Sequence, residues 1–195
     1  MKKIVNYFCL LVALLSISLC DVAAQNTVVS EFTEVKSMPK LKKEIKKSGV
    51  LYFQSPDRLA MRYSDPEGDY SIIRDGLFLI KRGQGHTQKL KMDGKRTQFQ
   101  ILRNTLLLSM VGDIDGVAKE NEASVSIEEK AGKKLVTLLK DKEVKVGVNR
   151  LELEYDLTTG ALLVLKLIEV NGNSTTYSTP SPNIGASIDE EVWKE

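Results

Sequence analysis

Cysteine is all but missing from this chain: its two copies, Cys9 and Cys20, both lie in the first 24 residues. The remainder therefore has no disulfide framework and no thiol nucleophile. Histidine is reduced to His86, between Gly85 and Thr87, where a solvated loop residue is expected, so no histidine or thiolate cluster can hold zinc. Charge of one sign is lacking as well. Without Lys2, Lys3 and Asp21 the 28 basic and 26 acidic residues become 26 and 25, a formal +1, which offers nucleic acid no electrostatic attraction. Gly83 and Gly85 do not make a phosphate loop, because the third glycine and the Lys-Ser/Thr terminus are absent. Gly112-Asp113-Ile114-Asp115-Gly116 resembles a calcium loop only in outline, with glycine too early and no bidentate acid at the closing position. No nucleophile elbow or cofactor loop appears. These absences argue against an enzyme and against a metal or cofactor. No internal repeat or low-complexity linker divides residues 25–195, which are expected to form one domain, large enough to bury ~70% of the surface the unfolded chain exposes.

Long apolar runs are scarce, and the one at the start is short. Lys2 and Lys3 precede an apolar stretch from Tyr7 to Leu19, and Val22-Ala23-Ala24 follows. This is the pattern of a secretory signal peptide, residues 1–24, with cleavage before Gln25. The run is too short for the roughly 20 residues that span a bilayer. Lipidation at Cys20 is disfavoured by bulky Leu19 directly before it.

What the chain has in abundance is alternation. Leu51 and Phe53 alternate with Tyr52 and Gln54, and Leu59, Met61 and Tyr63 alternate with Ala60 and Arg62, the period of two of half-buried strands. Met61 should therefore point to the same side as Leu59 and Tyr63, and Arg62 to solvent. Pro56 separates these two runs, and Pro66-Glu67-Gly68 separates the second from a third, Tyr70 to Ile73. Asp75-Gly76 reads as a tight hairpin turn before Leu77 to Ile80. Upstream, Thr27 to Val35 alternates with a half-apolar inner side and reads as a strand near a sheet edge. Lys40 to Ser48 carries lysines at 40, 42, 43, 46 and 47. This stretch is either a charged hairpin arm that discourages edge-to-edge pairing or a contact for an acidic partner or anionic lipid head groups.

One segment has a different period. Between Lys95 and Val111, Phe99, Leu102, Leu106 and Met110 recur at spacings of three and four, and Ile101, Leu107, Leu108 and Val111 widen the stripe. A helix apolar around most of its circumference must be covered on most sides. Gly112 suits a left-handed cap, and Val117 to Glu122 reads as one helical turn. After that the chain is strand and turn again: Ser124 to Glu129, Lys134 to Leu139, Arg150 to Asp156, Leu162 to Val170 and Ser174 to Thr179, with Asn171-Gly172 as the clearest hairpin turn. In the proline-bearing tail Trp193 is expected to dock the terminus onto the sheet, since an indole buries up to about 250 Å².

The ordered set Phe32-Thr33-Glu34, Gly49-Val50-Leu51-Tyr52-Phe53, Pro56, Leu59, Tyr63, Pro66 and Asp75-Gly76 resembles the LolA family of bacterial periplasmic lipoprotein carriers. The resemblance implies an α+β fold, an open, strongly curved antiparallel half-barrel with a helix covering the concave face. It implies a cavity between sheet and helix that receives acyl chains of a lipoprotein or another lipid, lined here by Leu51, Phe53, Leu59, Met61, Tyr63, Ile72, Phe78, Phe99, Leu102, Leu106 and Met110. As partners it implies an inner-membrane transporter that hands over the lipid and an outer-membrane acceptor, in a periplasmic and monomeric protein. The family's arginine before the second-strand proline is replaced by Ser55 and its tryptophan by Met61. A helix that is simply part of a sealed core, and an envelope scaffold or assembly factor that binds a protein on the open sheet, are the alternatives.

Overall fold

The computed structural model describes residues 27–94 and 96–195. The expected signal peptide, residues 1–24, and its expected cleavage site lie outside the described residues. Strands β1 (Thr27–Met38) and β2 (Lys43–Gln54) form a long hairpin whose tip is a 3₁₀ turn, Pro39–Leu41. The chain continues through β3 (Arg58–Asp65), β4 (Glu67–Arg74), β5 (Leu77–Lys81) and β6 (Gln88–Lys91). Asp75 and Gly76 both take positive φ, 48° and 69°, as a two-residue hairpin turn that follows strand twist requires. Helices α1 (Gln98–Val111) and α2 (Ile114–Asn121) come next. They are followed by β7 (Ala123–Lys130), β8 (Lys133–Lys140), β9 (Val148–Asp156), β10 (Leu162–Glu169), β11 (Ser174–Ser178) and the short β12 (Asn183–Ile184).

The strands make one open antiparallel sheet in the order β6-β5-β4-β3-β2-β1-β11-β10-β9-β8-β7, with β12 added to β1. It is a strongly curved half-barrel, and α1 covers the concave face. β1 is thus at the centre, not near an edge as its half-polar pattern predicts. Its pairing with β11, Glu34 opposite Tyr177, joins two meanders, and no local pattern announces a partner more than 140 residues away. A polar position of β1 does not always mark exposure. Ser30 is buried and gives its hydroxyl to the Glu31 carbonyl.

The period of two holds through β2 and β3. Leu51, Phe53, Leu59, Met61 and Tyr63 share the concave face with Val28, Phe32, Ile73 and Phe78. Ala60, Tyr70, Ile72 and Leu79 share the convex one. Gly49 lies between Phe32 on β1 and Tyr63 on β3. A Cβ there would come within 2.0 Å of the Arg62 carbonyl oxygen. The two rings lie edge to face at 5.1 Å, and the place of a side chain at Gly49 is taken by the backbone of Arg62 and Tyr63.

Two helix boundaries differ from the sequence expectation. α1 starts at Gln98 because Thr97, in an extended conformation, accepts the Gln100 N–H at 3.1 Å and caps the helix. α2 is two turns long and starts earlier than Val117, because the Asp113 carboxylate caps the Gly116 N–H at 2.8 Å. That contact also gives Asp113, in the stretch that resembles a calcium loop only in outline, a structural use. At its other end α1 stops where expected, at Gly112 with φ 74°. The short β6 and β12, embedded in polar and proline-bearing sequence, carry too few apolar residues to be read as strands.

The C-terminal tail returns across the convex face. Trp193 is buried against Ala60, Tyr70, Ile72 and Leu79. Arg58 stacks on its ring at 4.4 Å and forms a forked pair with Glu190 at 2.8 and 3.0 Å. Arg62 points away from the concavity as expected. It is half-buried instead of solvated, because its guanidinium donates to the carbonyl oxygens of Val192 and Lys194, and this burial lowers its pKa.

Candidate functional site

Three groups of residues build the concave face. The first is the apolar floor already described, continued on the far side of β1 by Val136, Leu138, Leu151, Leu153, Leu162 and Leu165. The second is α1, which lays Leu106, Leu107 and Met110 onto that floor. Beneath Leu106 and Met110 a void of only about 20 Å³ remains, bounded by Leu51, Leu59, Met61 and Leu165. That is room for about one water, so the helix itself fills the concavity.

The larger space lies on the flank of α1. A cleft of about 340 Å³ is bounded by Gln98, Ile101, Leu102 and Thr105 of α1, by Val144, Val146 and Gly147 of the loop before β9, and by Val148, Leu151, Leu167 and Glu169. Its volume is at the low end of ligand sites, roughly 300–1,000 Å³, and its lining is chiefly apolar. Val144, Val146 and Gly147 belong to a stretch whose alternation with lysines reads as polar loop, so only the fold reveals their use. Ile101 was visible as part of the wide apolar stripe.

Of the residues named from the sequence, Leu51, Phe53, Leu59, Met61, Tyr63, Phe78, Leu106 and Met110 lie together in the concave core. Leu102 is half-buried at its border and faces the cleft. Phe99, on the first turn of α1, is 44% exposed and meets Phe78 edge to face at 6.5 Å. Ile72 is a correction: it faces the convex side under Trp193, and its neighbour Ile73 takes the concave position. The strand register decides this, since Ile72 lies opposite Ala60 and Ile73 opposite Leu59.

α1 is fastened to its surroundings unevenly. It shares two hydrogen bonds with α2, Asn104 to Glu120 at 3.0 Å and Asn121 to Thr105 at 2.8 Å. α2 in turn is held by the sheet, where Lys140 donates to the Asn121 carbonyl at 2.9 Å. Among the described residues, the one hydrogen bond from the sheet directly to α1 is that of the Tyr155 hydroxyl, which donates to the Ser109 carbonyl at 3.1 Å. Burial pushes the Tyr155 hydroxyl well above the ordinary phenol range, so this donor keeps its proton.

The third group is a polar belt where β1 to β5 leave the shelter of α1. Tyr63 donates to Glu34 and lies under two cations, Lys47 at 5.3 Å and Arg82 at 4.9 Å from its ring. Arg82 also donates to the Tyr70 carbonyl at 2.8 Å and the Ser71 hydroxyl at 2.9 Å. Asp69 is buried and pairs with Lys47 at 3.1 Å. Burial alone would raise its pKa, but the Gly83 N–H and Lys47 outweigh it and hold the carboxyl below its usual range. Burial and the neighbouring Glu34 carboxylate raise both Tyr63 and Tyr177 well beyond ordinary phenols. The belt therefore carries balanced charge and closes the apolar trough with groups that are already paired. The trough is thus apolar on its floor and hydrogen-bonding at its rim.

The chain matches the family model described as outer membrane lipoprotein carrier protein LolA over residues 23–194. No curated protein is similar to it at a significant level. Among solved structures it is similar to a LolA superfamily protein of Nitrosomonas europaea, at 7% identity over 88% of this chain and 91% of that one, with a TM-score of 0.40. It is also similar to the Pseudomonas aeruginosa MucA/MucB complex, at 13% over 88% and 57% with a TM-score of 0.48. The lipoprotein LppX of Mycobacterium tuberculosis gives 8% over 84% and 90% with a TM-score of 0.38.

Proposed function

The chain belongs to the LolA family of outer membrane lipoprotein carrier proteins, and from this premise we propose that it is an extracytoplasmic carrier which shields the acyl chains of a lipid or lipoprotein between its curved sheet and α1. The observation that carries this reading is the way α1 is held. It covers an apolar floor through side-chain packing and, among the described residues, a single hydrogen bond from the sheet, beside a cleft into which a chain can start to enter. A helix so attached is an occupant that an acyl chain can replace. The exchange swaps one apolar surface for another, and each methylene buried stabilises the complex by about 0.8 kcal/mol.

Among the described residues no helix is long and apolar enough to cross a membrane. The test is native mass spectrometry of the protein taken from its own envelope, followed by delipidation and titration with a fluorescent fatty acid. Acylated species that co-purify, and saturable uptake that they compete for, are the expected result. A protein that carries nothing and takes up no fatty acid after delipidation refutes the reading.

A further inference from the structure

We propose that the tip of the β1–β2 hairpin is a docking foot for an anionic lipid surface. Lys36, Lys40, Lys42, Lys43 and Lys46 are all exposed there, and none forms an ion pair among the described residues, whereas Lys47, next in the chain, is committed to Asp69 at 3.1 Å. Glu44 is the one acid between Lys36 and Lys46. The foremost apolar group, Leu41, is 71% exposed on the 3₁₀ turn. A hairpin that needed only to avoid pairing with another strand would gain nothing from a bare leucine at its foremost point. Cations around an apolar tip match a bilayer surface instead: lysines meet head-group phosphates, and a short apolar side chain enters the interface between them.

The register places this foot where a carrier would use it. Lys36 lies opposite Thr175, Thr175 opposite Leu167, and Leu167 opposite Leu151. Leu151 and Leu167 line the cleft beside α1, so the cleft and the base of the foot share one end of the sheet, with the tip projecting beyond it. Docking would therefore bring that end of the sheet to the bilayer. This use of the foot rests on the carrier reading, while the docking itself does not.

The experiment is sedimentation of the protein with vesicles of phosphatidylglycerol mixed with phosphatidylcholine, against vesicles of phosphatidylcholine alone. Binding to the anionic vesicles only, weakened by added salt, is expected. The triple variant Lys40→Gln/Lys42→Gln/Lys43→Gln should bind on the order of a hundredfold more weakly, about fivefold for each lysine lost. Leu41→Ser should weaken binding without altering its salt dependence. All four positions are exposed, so unchanged melting curves will show that the variants fold. Equal binding to both kinds of vesicle, or a triple variant that binds like the parent, overturns the proposal. Binding to neither kind also overturns it and leaves the tip as a contact for an acidic protein. The carrier reading is read out separately, by fluorescent fatty acid uptake in solution, which the triple variant should retain. A parent protein that takes up no fatty acid yet sediments with anionic vesicles would refute carriage and leave the docking foot standing.

Discussion

If α1 is a removable cover, weakening its tie to the sheet should tighten ligand binding even as it destabilises the protein. Tyr155→Phe is the substitution that isolates this effect. It removes the hydroxyl that reaches the Ser109 carbonyl at 3.1 Å and keeps the ring, which is 3% exposed and packed in the concave core. The Ser109 carbonyl is not left bare, because the Gly112 N–H also reaches it at 3.2 Å. The loss is therefore that of one ordinary hydrogen bond, about 1 kcal/mol, without the added penalty of an unsatisfied buried acceptor. Two consequences follow. Thermal unfolding should shift down by about 2–4 °C, as about 1 kcal/mol does in a domain of this size. If the closed helix must leave before a chain can enter, the open population rises about fivefold, and apparent affinity for a fluorescent fatty acid rises with it. Stopped-flow mixing should show the gain in the association rate. A variant that melts at the lower temperature but binds with unchanged rate and affinity would refute gating by α1 through this bond.

Other positions give independent checks. Gly49→Ala should lower stability by about 1–3 kcal/mol or more, since its Cβ would meet the Arg62 carbonyl oxygen at 2.0 Å and the neighbours must move; a melting curve like that of the parent would contradict the close approach of β2 and β3. Asp69→Asn should cost about 1–3 kcal/mol at neutral pH. The Asp69 carboxyl is held below its unfolded value, so its contribution is present above about pH 3.9 and is lost as pH falls through the folded pKa. Denaturant titrations should therefore show parent and variant converging only in acid. Trp193→Ala should cost about 3–5 kcal/mol while leaving fatty acid affinity unchanged, because the indole sits on the convex face; a change in affinity at unchanged stability would place the tail in the binding site instead.

Where local pattern alone decides structure, the sequence was readable. Alternation in β2 and β3 placed Leu59, Met61 and Tyr63 on one face and Ala60 on the other, because a strand's side chains have a period of two. Asp75-Gly76 and Gly112 announced a hairpin and a helix end, since few residues tolerate positive φ. What local pattern cannot carry is pairing between distant strands. β1 looked peripheral because half its inward positions are polar, yet Glu34 there has Tyr63 as its donor and Tyr177 as its cross-strand neighbour. Ile72 went to the wrong face for a related reason. β4 is buried on both sides, from Asp69 to Ile73, and its polar residues Asp69 and Ser71 fall in the inward phase with Ile73, so the apolar phase of Tyr70 and Ile72 points the reading to the wrong side. The cover on that second side, Trp193, lies about 120 residues further along the chain.

The candidate site was legible as a set of apolar residues but not as a state. Leu106 and Met110 fill the trough in the closed form, and the same residues would be predicted for a filled or an empty cavity. On the proposed carrier reading, the energetics decide how much cargo is needed to open it. Displacing Leu106, Leu107 and Met110 from the floor forfeits about 5–9 kcal/mol of burial, at 1.5–3 kcal/mol for each side chain. About 6–11 methylenes moved from water into the vacated trough restore that amount. One long acyl chain is thus enough to offset the cover, and further chains supply net affinity. A short chain is not, so affinity should rise steeply with chain length only beyond this threshold. A ligand series that instead strengthens uniformly from the shortest chain onward would mean that chains bind in the cleft beside α1 and never displace it.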